Sequence, residues 1–549
     1  MNITTFLLTY LKKNKIRILI LFLAMLISTG LSSLLLPYYN GRYFDNLTTI
    51  LSINNATKIL LILLTINITS LIISNVVSVF HNTINTRIAF DINLDLIDHI
   101  QKVPIEYSRQ FNSSFLTEHI NSDSNVVSSY FINIITQGVT NLLVLFITMF
   151  LLWKINSTIF LVFLLTIPIY VGLYLIFRKP IYNSSFKLKN SQSNLFAEMY
   201  RQLNDISSIK MNSLFQPLKK DVHLSFTDFI NKLIKNVKIL SLSGSTSNFI
   251  ISLSNLIMLF IGGIYIVNGS MTIGKLIIIS SYLGTAIGSL QFFIENFKSY
   301  QSVKASLDRL INHFNIPKEK NGEVVLKHIE LISLRNIKLK FNEQIIFKDF
   351  NFDFHKGKIY IITGKNGRGK TSLINLLSGL YNQFEGEITY NNIPIDELDM
   401  YEIRKGIFGV AEQNSLIVQK GIIENILFGV KDWDENNLKE LIKGFNLQDK
   451  VLLNESEKKV INLSGGEAQK SSIIRALLKK PDILIFDEPT SMIDKNGFDF
   501  FSSLLKSIKE EKIIIIITHD ENLMKISDVS LNLDKEYISE ISELEALGV

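Results

Sequence analysis

Residues 364–371 are Gly-Lys-Asn-Gly-Arg-Gly-Lys-Thr, and this motif is the strongest indication of fold class in the second half of the chain. It follows an apolar run at 359–363 and precedes a helix predicted over 371–380. Glycines allow backbone N–H groups to turn inward, and the helix N-terminus adds a positive dipole end, so such a loop binds phosphate. The context predicts a nucleotide-binding P-loop in an α/β domain.

Individual residues of this loop have distinct chemical tasks. Lys370 supplies a positive charge for the β- and γ-phosphates, and the Thr371 hydroxyl is a ligand for Mg²⁺. An ordinary glycine-rich turn is the alternative, which the flanking strand and helix disfavour. We predict that nucleotide contacts the loop and the start of the helix, namely Gly364, Lys365, Asn366, Gly367, Arg368, Gly369, Lys370, Thr371 and Ser372.

Two carboxylates follow a second apolar run, at 483–486. Adjacent strand residues face opposite ways, so Asp487 and Glu488 should have separate tasks. Asp487 is predicted to hold the Mg²⁺ shell, and Glu488 to orient or polarise the attacking water, because phosphoryl transfer depends on positioning and charge stabilisation. A pair of solvated loop carboxylates is the alternative, but the apolar run and the following Pro489 argue against it.

A third motif, Leu-Ser-Gly-Gly-Glu at 463–467, stands at the start of a helix predicted to run to about residue 480. The Ser464 hydroxyl and the amides of Gly465 and Gly466 make a second anion site at a helix N-terminus. Taken in isolation, Ser-Gly-Gly before a helix is more often a cap without a ligand. The chain thus contains two candidate phosphate sites.

The first 300 residues have a different character. Hydrophobic residues make up 47% of the chain and charged residues 19%, below the roughly 25% of soluble domains. Six apolar stretches are long enough to cross a hydrocarbon core of about 30 Å, and six buried helices of a soluble protein are the disfavoured alternative. The predicted spans lie at about 16–36, 59–80, 131–153, 155–177, 247–267 and 273–294.

Basic residues predict the orientation of these spans. Clusters of Lys and Arg at 12–17 and 178–189 flank the first and fourth spans, which places both flanks and both termini in the cytoplasm. The cytoplasmic connections, 81–130 and 178–246, are long and mostly free of Pro and Gly. We therefore predict helices that extend well beyond the membrane.

The remaining composition sets limits. The net charge of +6 is small and lies in short clusters, so no nucleic-acid partner is predicted. With no cysteine, the chain has no disulfide, thiolate zinc site or cysteine nucleophile. Richness in Ile, Asn and Lys favours a bacterial source. We predict a membrane domain over 1–310, a linker over 311–328 and a nucleotide-binding domain over 329–549.

With these motifs in place, the second half resembles an ATP-binding cassette (ABC) domain, whose signature is Leu-Ser-Gly-Gly-Gln and whose order of motifs is reproduced from about residue 329 onward. The resemblance implies that the signature of one cassette closes over ATP held by the P-loop of another, with Mg²⁺. The residues that would contact the partner's nucleotide are Ser464, Gly465, Gly466 and Glu467. Two phosphate sites in one chain would then serve different nucleotides.

Four further positions match elements of this family. Phe341 corresponds to the aromatic that stacks on adenine. Gln413 corresponds to the Q-loop glutamine, which reaches Mg²⁺ and the water. Asp494 belongs to the D-loop, Ser-Met-Ile-Asp at 491–494, and His519 corresponds to the switch histidine near the γ-phosphate.

The first half resembles the membrane domain of exporters of this family, because it is fused to the cassette and matches at 37–47, 204–216 and 301–310. Segments near 110–118 and 205–216 would be coupling helices that rest on cassettes. Three departures stand out: the segment 455–462 replaces an acidic, glycine-containing loop, Glu467 replaces Gln, and Arg368 replaces a small residue.

The resemblance implies an ATP-hydrolysing half-transporter, that is, one membrane domain and one cassette, in the cytoplasmic membrane. It would act as a homodimer, with a heterodimer open as an alternative. Polar residues within the spans either line a pathway or hydrogen-bond between helices, namely Asn67, Asn75, Asn133, Gln137, Asn141 and Asn255. We favour export of a bacteriocin-like or modified peptide; a multidrug, lipid or siderophore exporter and a cassette-gated channel or sensor are the alternatives.

Overall fold

The computed structural model describes residues 9–108, 113–341, 344–381, 383–413, 415–418, 421–451, 463–490 and 493–534. Internal contacts divide the chain into two compact units. We call Met1–Gln101 with Gln110–Pro317 the membrane unit, and Lys102–Arg109 with Lys318–Val549 the cassette unit.

Helices of the first 314 residues are often very long. They are α1 (Lys15–Gly30), α2 (Leu36–Asp45), α3 (Ile53–Gln101), α4 (Ile105–Ser108), α5 (Ser113–Asn133), α6 (Val139–Ile155), α7 (Ser157–Asn204), α8 (Ile206–Met211), α9 (Phe215–Val267) and α10 (Ile273–Phe314). Short π-helical segments, Leu31–Leu35 and Ile134–Gly138, join α1 to α2 and α5 to α6. Helical backbone therefore continues without a break from α1 into α2 and from α5 into α6.

Six helices of the described part are long and apolar enough to cross a membrane. The prediction of six apolar membrane-spanning helices is confirmed. The fourth span begins at Ser157 rather than 155, because the Asn156 side chain accepts a hydrogen bond from the Ile159 N–H and caps α7. This cap allows α6 and α7 to follow each other with a single residue between them.

Three helices far exceed the thickness of a bilayer. α3, α7 and α9 contain 49, 48 and 53 residues. At about 1.5 Å per residue each is about 70–80 Å long, more than twice a hydrocarbon core of about 30 Å. The predicted extension of these helices beyond the membrane follows from the scarcity of helix-breaking residues in them.

Large apolar side chains lie on the outer surface of the spans. Phe146, Ile176 and Phe260 have 62%, 70% and 71% of their surface exposed. Side chains of this size bury their surface in soluble domains, whereas lipid tails solvate them at no cost. This surface identifies the helices as embedded in a bilayer.

The cassette unit contains two sheets and a set of shorter helices. Its strands are β1 (Leu331–Phe341), β2 (Gln344–His355), β3 (Lys358–Thr363), β4 (Glu385–Tyr390), β5 (Ile393–Pro394), β6 (Phe408–Ala411), β7 (Ile483–Asp487), β8 (Ile513–Ile517) and β9 (Val529–Asn532). Its helices after β3 are α11 (Lys370–Leu377), α12 (Met400–Gly406), α13 (Ile422–Ile426), α14 (Glu435–Gly444), α15 (Gly465–Leu478), α16 (Lys495–Ile508) and α17 (Glu521–Met524).

One sheet is antiparallel, in the order β2-β1-β4-β5, and the other is parallel, in the order β6-β7-β8-β3-β9. Alternate residues of the parallel strands enter two different cores: Ile483 and Ile485 pack on the side of the antiparallel sheet and α11, whereas Leu484 and Phe486 pack against α13, α14, α15 and α16. Burial on both faces explains why these strands are uninterrupted apolar runs.

Some boundaries differ from the sequence-based prediction. α10 continues to Phe314, so the first four residues of the predicted linker are helical. Lys102–Arg109 groups with the cassette unit, where the Ile105 N–H donates to the Leu380 carbonyl at 3.4 Å. This segment lies just before the predicted coupling segment near 110–118, of which residues 110–112 lie outside the described residues.

A buried ion pair joins α5 to α10 in the membrane unit. Arg309 donates from Nε and Nη2 to the two carboxylate oxygens of Asp123, at 2.7 and 2.6 Å. The Asp123 side chain is only 3% exposed. A bidentate pair with one buried partner fixes the two helices at a defined register.

We expect Arg309→Ala to lower the free energy of unfolding by about 3 kcal/mol, because the Asp123 carboxylate, only 3% exposed, is left without its arginine. The measurement is thermal unfolding of the full-length protein in detergent. Lys232→Ala, which breaks the exposed pair with Asp228, is the control and should cost less than about 1 kcal/mol. Equal losses in the two variants would contradict the assignment.

Candidate nucleotide site

Four motifs meet at the carboxyl edge of the parallel sheet, the edge where open α/β sheets bind ligands. β3 ends at the P-loop (364–371), β8 precedes His519, β7 ends at Asp487, and β6 is followed two residues later by Gln413. β6, β7, β8 and β3 are neighbours in that order. Motifs that are up to about 150 residues apart in sequence therefore come to one place.

The P-loop has a backbone that only glycine adopts easily. Gly364, Gly367 and Gly369 have φ angles of +147°, +83° and +95°. A Cβ atom on Gly369 would also lie 2.5 Å from the Ile346 Cγ2 atom, which is too close. The loop leads directly into α11, whose first residue is Lys370, so the free N–H groups of the helix start face the loop.

Lys370 links the P-loop to the neighbouring strands. Its Nζ atom donates to the Gly364 carbonyl at 2.5 Å and lies 3.0 Å from His519 Nε2. His519 Nε2 is in turn 4.0 Å from Glu488 Oε1. The three side chains that would surround a terminal phosphate thus form one row of polar groups.

The backbone of Glu488 is held in an unusual conformation. Its φ angle is +49°, in the left-handed region that costs non-glycine residues roughly 1–2 kcal/mol. The Glu488 N–H donates to the Ile517 carbonyl at 2.9 Å, and the Glu488 carbonyl accepts from Gln469 Nε2 at 2.6 Å. Bonds on both sides of the residue stabilise the turn that directs its carboxylate to the sheet edge.

Burial raises the pKa of the Asp487 carboxyl, against the opposing charge of Lys370. Burial also raises the pKa of the Glu488 carboxyl; His519 opposes this shift, and the charge of Asp487 reinforces it. A raised carboxyl pKa moves towards the operating pH, which strengthens the carboxylate as a proton acceptor. Perturbed carboxyls at a ligand-binding edge are typical of functional sites.

A carboxylate that no motif indicated holds the P-loop in place. The Lys365 N–H donates to Asp534 Oδ2 at 3.0 Å, and Arg368 Nε lies 3.2 Å from Asp534 Oδ1. Asp534 follows β9, at the far edge of the same sheet. Arg368, which looked like a departure from the usual small residue, therefore has a partner within the unit. Sequence reasoning missed Asp534 because it is 169 positions from Lys365.

Ser464 is the N-cap of α15, as the cap interpretation of the third motif expects. Its hydroxyl accepts from the Glu467 N–H at 3.4 Å, and Glu467 Oε2 accepts from the Ser464 N–H at 2.8 Å. Lys450 Nζ lies 3.1 Å from the other carboxylate oxygen. Burial acts to raise the pKa of Glu467, but the hydrogen bonds from Ser464 and Lys450 outweigh it and lower the pKa.

The D-loop aspartate is tied to the signature helix. Lys470 Nζ lies 2.5 Å from Asp494 Oδ1, and Asn446 Nδ2 donates to Asp494 Oδ2 at 3.0 Å. The bond from Lys470 is the main cause of the lowered pKa of Asp494. Asp494 also occupies the N-cap position of α16, although its side chain makes no cap bond there. This carboxylate therefore connects α15 to α16.

The other predicted positions are placed as follows. Thr371 is exposed and Ser372 half-buried on the first turn of α11, and Gln413 is exposed. β1 ends at Phe341, whose side chain lies outside the described part of the structure. The segment 455–462 and residues 491–492 also lie outside the described residues.

The donor set at the sheet edge fits Mg²⁺ bound together with phosphates. In such sites the ion takes one or two carboxylates, and phosphates and waters complete its octahedron. Asp487 and the Thr371 hydroxyl supply that kind of set. The described residues contain no cluster of three or more His, Asp or Glu side chains of the kind that holds a metal without a substrate.

Comparisons with known proteins agree with this architecture. Residues 347–491 match the family described as "ABC transporter", and residues 19–290 match the "ABC transporter transmembrane region". The structure superposes on a bacterial Atm1-family ABC exporter with ATP bound, with a TM-score of 0.84 and 17% identity, covering 98% of this chain and 96% of that one. That similarity shows the fold.

Curated relatives have the same organisation. A putative export ATP-binding/permease protein of Rickettsia felis is 27% identical over 96% of this chain and 94% of its own. The alpha-hemolysin translocation ATP-binding protein HlyB of Escherichia coli is 24% identical over 84% of this chain, and the lactococcin-A transport/processing protein LcnC of Lactococcus lactis is 23% identical over 84%. The match spans 66% and 65% of those two proteins.

The fold and the sheet-edge motifs define a P-loop cassette fused to a six-helix membrane region. The chain belongs to the ABC transporter family, in the exporter arrangement in which membrane region and cassette share one polypeptide. The cassette is thus the ATP-binding domain of this family, whose ATPase activity is coupled to transport.

Asp534→Ala should raise the KM for ATP about three- to tenfold with a much smaller change in kcat, because the variant loosens the first turn of the P-loop without removing a reacting group. The measurement is the ATPase rate of the full-length protein at varied ATP concentration. Arg368→Ala removes the ion pair with Asp534 but keeps the hydrogen bond from the Lys365 N–H, so it should raise the KM less. A wild-type KM in Asp534→Ala would contradict this role.

Proposed function

We propose that the chain is one half of an ATP-driven exporter and that its cassette hydrolyses ATP at the carboxyl edge of the parallel sheet. The observation that carries the proposal is the convergence of the P-loop, Asp487, Glu488 and His519 there, with Lys370 Nζ 3.0 Å from His519 Nε2. A cation beside two half-buried carboxylates and a histidine suits phosphoryl transfer, which depends on positioned charge.

Each residue has a role in this proposal. Residues 364–372 hold the phosphates, and the Phe341 ring stacks on adenine. Thr371, Gln413 and Asp487 hold Mg²⁺, which when bound neutralises charge on the β- and γ-phosphates. Glu488 orients and polarises the attacking water, and His519 contacts the γ-phosphate.

Dimerisation is part of the proposed mechanism. Ser464, Gly465, Gly466 and Glu467 form the start of α15, and they would contact nucleotide bound to a second cassette, with Asp494 near the contact. We propose a homodimer, because this one chain carries both halves of the site. Basic clusters at 12–17 and 178–189 support cytoplasmic termini and a place in the cytoplasmic membrane of a bacterium.

Glu488→Gln should lower kcat of the ATPase about 10²–10³-fold while ATP binding is retained, because the P-loop and Lys370 are unchanged. ATP binding is measured with a fluorescent analogue and hydrolysis by phosphate release, both on the purified chain in lipid nanodiscs. Glu435→Gln, at an exposed glutamate of α14, is the matched control. Near-wild-type turnover would contradict the assignment of Glu488. A wild-type chain that binds ATP but is inactive when purified alone would point to a heterodimer.

A polar cavity in the membrane unit supports a peptide-like substrate. It has a volume of about 330 Å³ and lies between α1, α3, the start of α6 and the segment that joins α5 to α6. Among the eleven described residues that line it, nine are polar and none is acidic: Ser28, Thr29, Ser74, Ser78, His81, Asn82, Gln137, Thr140 and Asn141. Hydroxyl and amide groups without a fixed charge suit a ligand with many hydrogen bonds rather than a lipophilic cation.

The hydrogen bonds around the cavity leave acceptors available to a ligand. Asn141 Nδ2 donates to the Gln137 carbonyl at 2.8 Å and Thr140 donates to the Thr136 carbonyl at 2.7 Å, both within one helical segment. His81 Nε2 is buried and has no hydrogen-bond partner among the described residues. The N–H and C=O groups of a peptide would pair with the side-chain oxygens of Asn141 and Thr140 and with His81 Nε2. We therefore propose export of a peptide, bacteriocin-like or modified.

A mixture of hydrophilic decapeptides should stimulate the wild-type ATPase in proteoliposomes and accumulate against its gradient. Asn141→Leu removes a polar group at similar volume. It should reduce the stimulation about fivefold or more, because polar groups of the bound peptide then lack a hydrogen-bond partner in the cavity. Asn67→Leu, whose amide donates to the Leu63 carbonyl away from the cavity lining, is the control. Stimulation by lipophilic amines alone would favour a multidrug exporter, and ATPase activity without uphill accumulation would favour a channel or sensor.

A further inference from the structure

The signature helix carries a negative charge at its start. Glu467 occupies the position where the resemblance expects an uncharged glutamine. Under the proposed function, on which this inference rests, the start of α15 approaches the phosphates of a nucleotide bound to a second cassette. A carboxylate at that place repels the phosphates, and like charges brought together across an interface are costly.

Both oxygens of this carboxylate are already engaged within the cassette. Oε2 accepts from the Ser464 N–H at 2.8 Å, and Oε1 lies 3.1 Å from Lys450 Nζ. The Glu467 side chain is 17% exposed, whereas the Lys450 side chain is 47% exposed. An approaching anion therefore meets the ammonium group more readily than the carboxylate.

Because the Lys450 side chain is more exposed than that of Glu467, Lys450 has a role that no sequence motif assigns to it. We propose that Lys450 is a positioning residue for the partner's nucleotide: by neutralising Glu467 it allows the signature helix to close on the phosphates. Lys450 precedes the signature by thirteen residues and belongs to no phosphate-binding motif of the sequence. The start of α15 thus carries a matched pair of charges where an ordinary signature is neutral.

The charge of Glu467 is separable from its structural role. In the capping box, a Glu or a Gln at the third helical position bonds back to the N-cap N–H equally well. Glu467→Gln therefore keeps the cap of α15 and removes only the charge. This makes a charge-specific rescue experiment possible.

The experiment measures ATPase kinetics of the full-length protein in nanodiscs for three variants. Lys450→Gln should raise the KM for ATP hydrolysis about tenfold, because Glu467 is left uncompensated beside the phosphates. Glu467→Gln should lower the KM, because Lys450 then acts unopposed. The double variant Lys450→Gln/Glu467→Gln should return the KM to within about twofold of wild type. Lys439→Gln, which breaks an exposed pair with Glu435 on α14, is the matched control for loss of one lysine.

Two results would overturn the inference. One is a wild-type KM in Lys450→Gln, and the other is a defect in Lys450→Gln that the second substitution does not relieve, since that pattern indicates a folding role. The variant Ser464→Arg separates this failure from failure of the proposed function. If Ser464→Arg abolishes ATPase activity while Lys450→Gln does not change it, only the role of Lys450 is wrong. If Ser464→Arg hydrolyses ATP normally, the contact between two cassettes is itself wrong.

Discussion

The hydrogen bond from Gln469 Nε2 to the Glu488 carbonyl, 2.6 Å long, links the signature helix to the candidate site. It joins α15 to the residue after β7. β7 belongs to the sheet that carries the P-loop, and α15 begins with the signature that would face a second cassette. This side-chain bond, together with the packing of Leu484 and Phe486 against α15, therefore connects the edge proposed to hydrolyse ATP with the surface proposed to bind a partner's nucleotide.

Two carboxylates around α15 are paired with lysine side chains of the cassette unit. Lys470 binds Asp494 at the start of α16, and Lys450 binds Glu467 in the first turn of α15. These two carboxylates, in the described part of the proposed contact surface, thus each have a lysine partner. Because isolated carboxylates would oppose the approach of a polyphosphate, this pairing leaves the positive end of the helix dipole as the net field at the surface.

The sequence identified the parallel sheet better than the antiparallel one. β3, β7 and β8 are buried on both faces and are therefore unbroken apolar runs, which can be recognised without knowledge of their neighbours. β2 alternates apolar with polar residues because one face is exposed, and such a strand is less distinct in sequence than an unbroken apolar run. The membrane spans were recognisable because lipid imposes a minimum length and an apolar surface.

Partners within the site were harder to predict than its motifs. The P-loop, Asp487 and Ser464 belong to local patterns whose chemistry can be derived from spacing. Asp534 acts through a contact between the ends of two neighbouring strands and Gln469 through one that joins a helix to the sheet, with partners 169 and 19 positions away in sequence. Such pairs are set by the order of strands and the packing of helices, which no local pattern of residues contains.

The conformation of Glu488 shows why these distant contacts matter. A left-handed φ of +49° costs a glutamate roughly 1–2 kcal/mol, similar to the roughly 1 kcal/mol that each of its two backbone hydrogen bonds contributes. The turn is therefore favourable only while both β8 and α15 stay in place. A shift of α15 that lengthens the 2.6 Å bond to Gln469 would remove one of these two contributions, while His519 Nε2, 4.0 Å from Glu488 Oε1, remains a separate contact of the carboxylate. Closure of a second cassette on the signature would act on α15, and through the bond to Gln469 on the carboxylate itself.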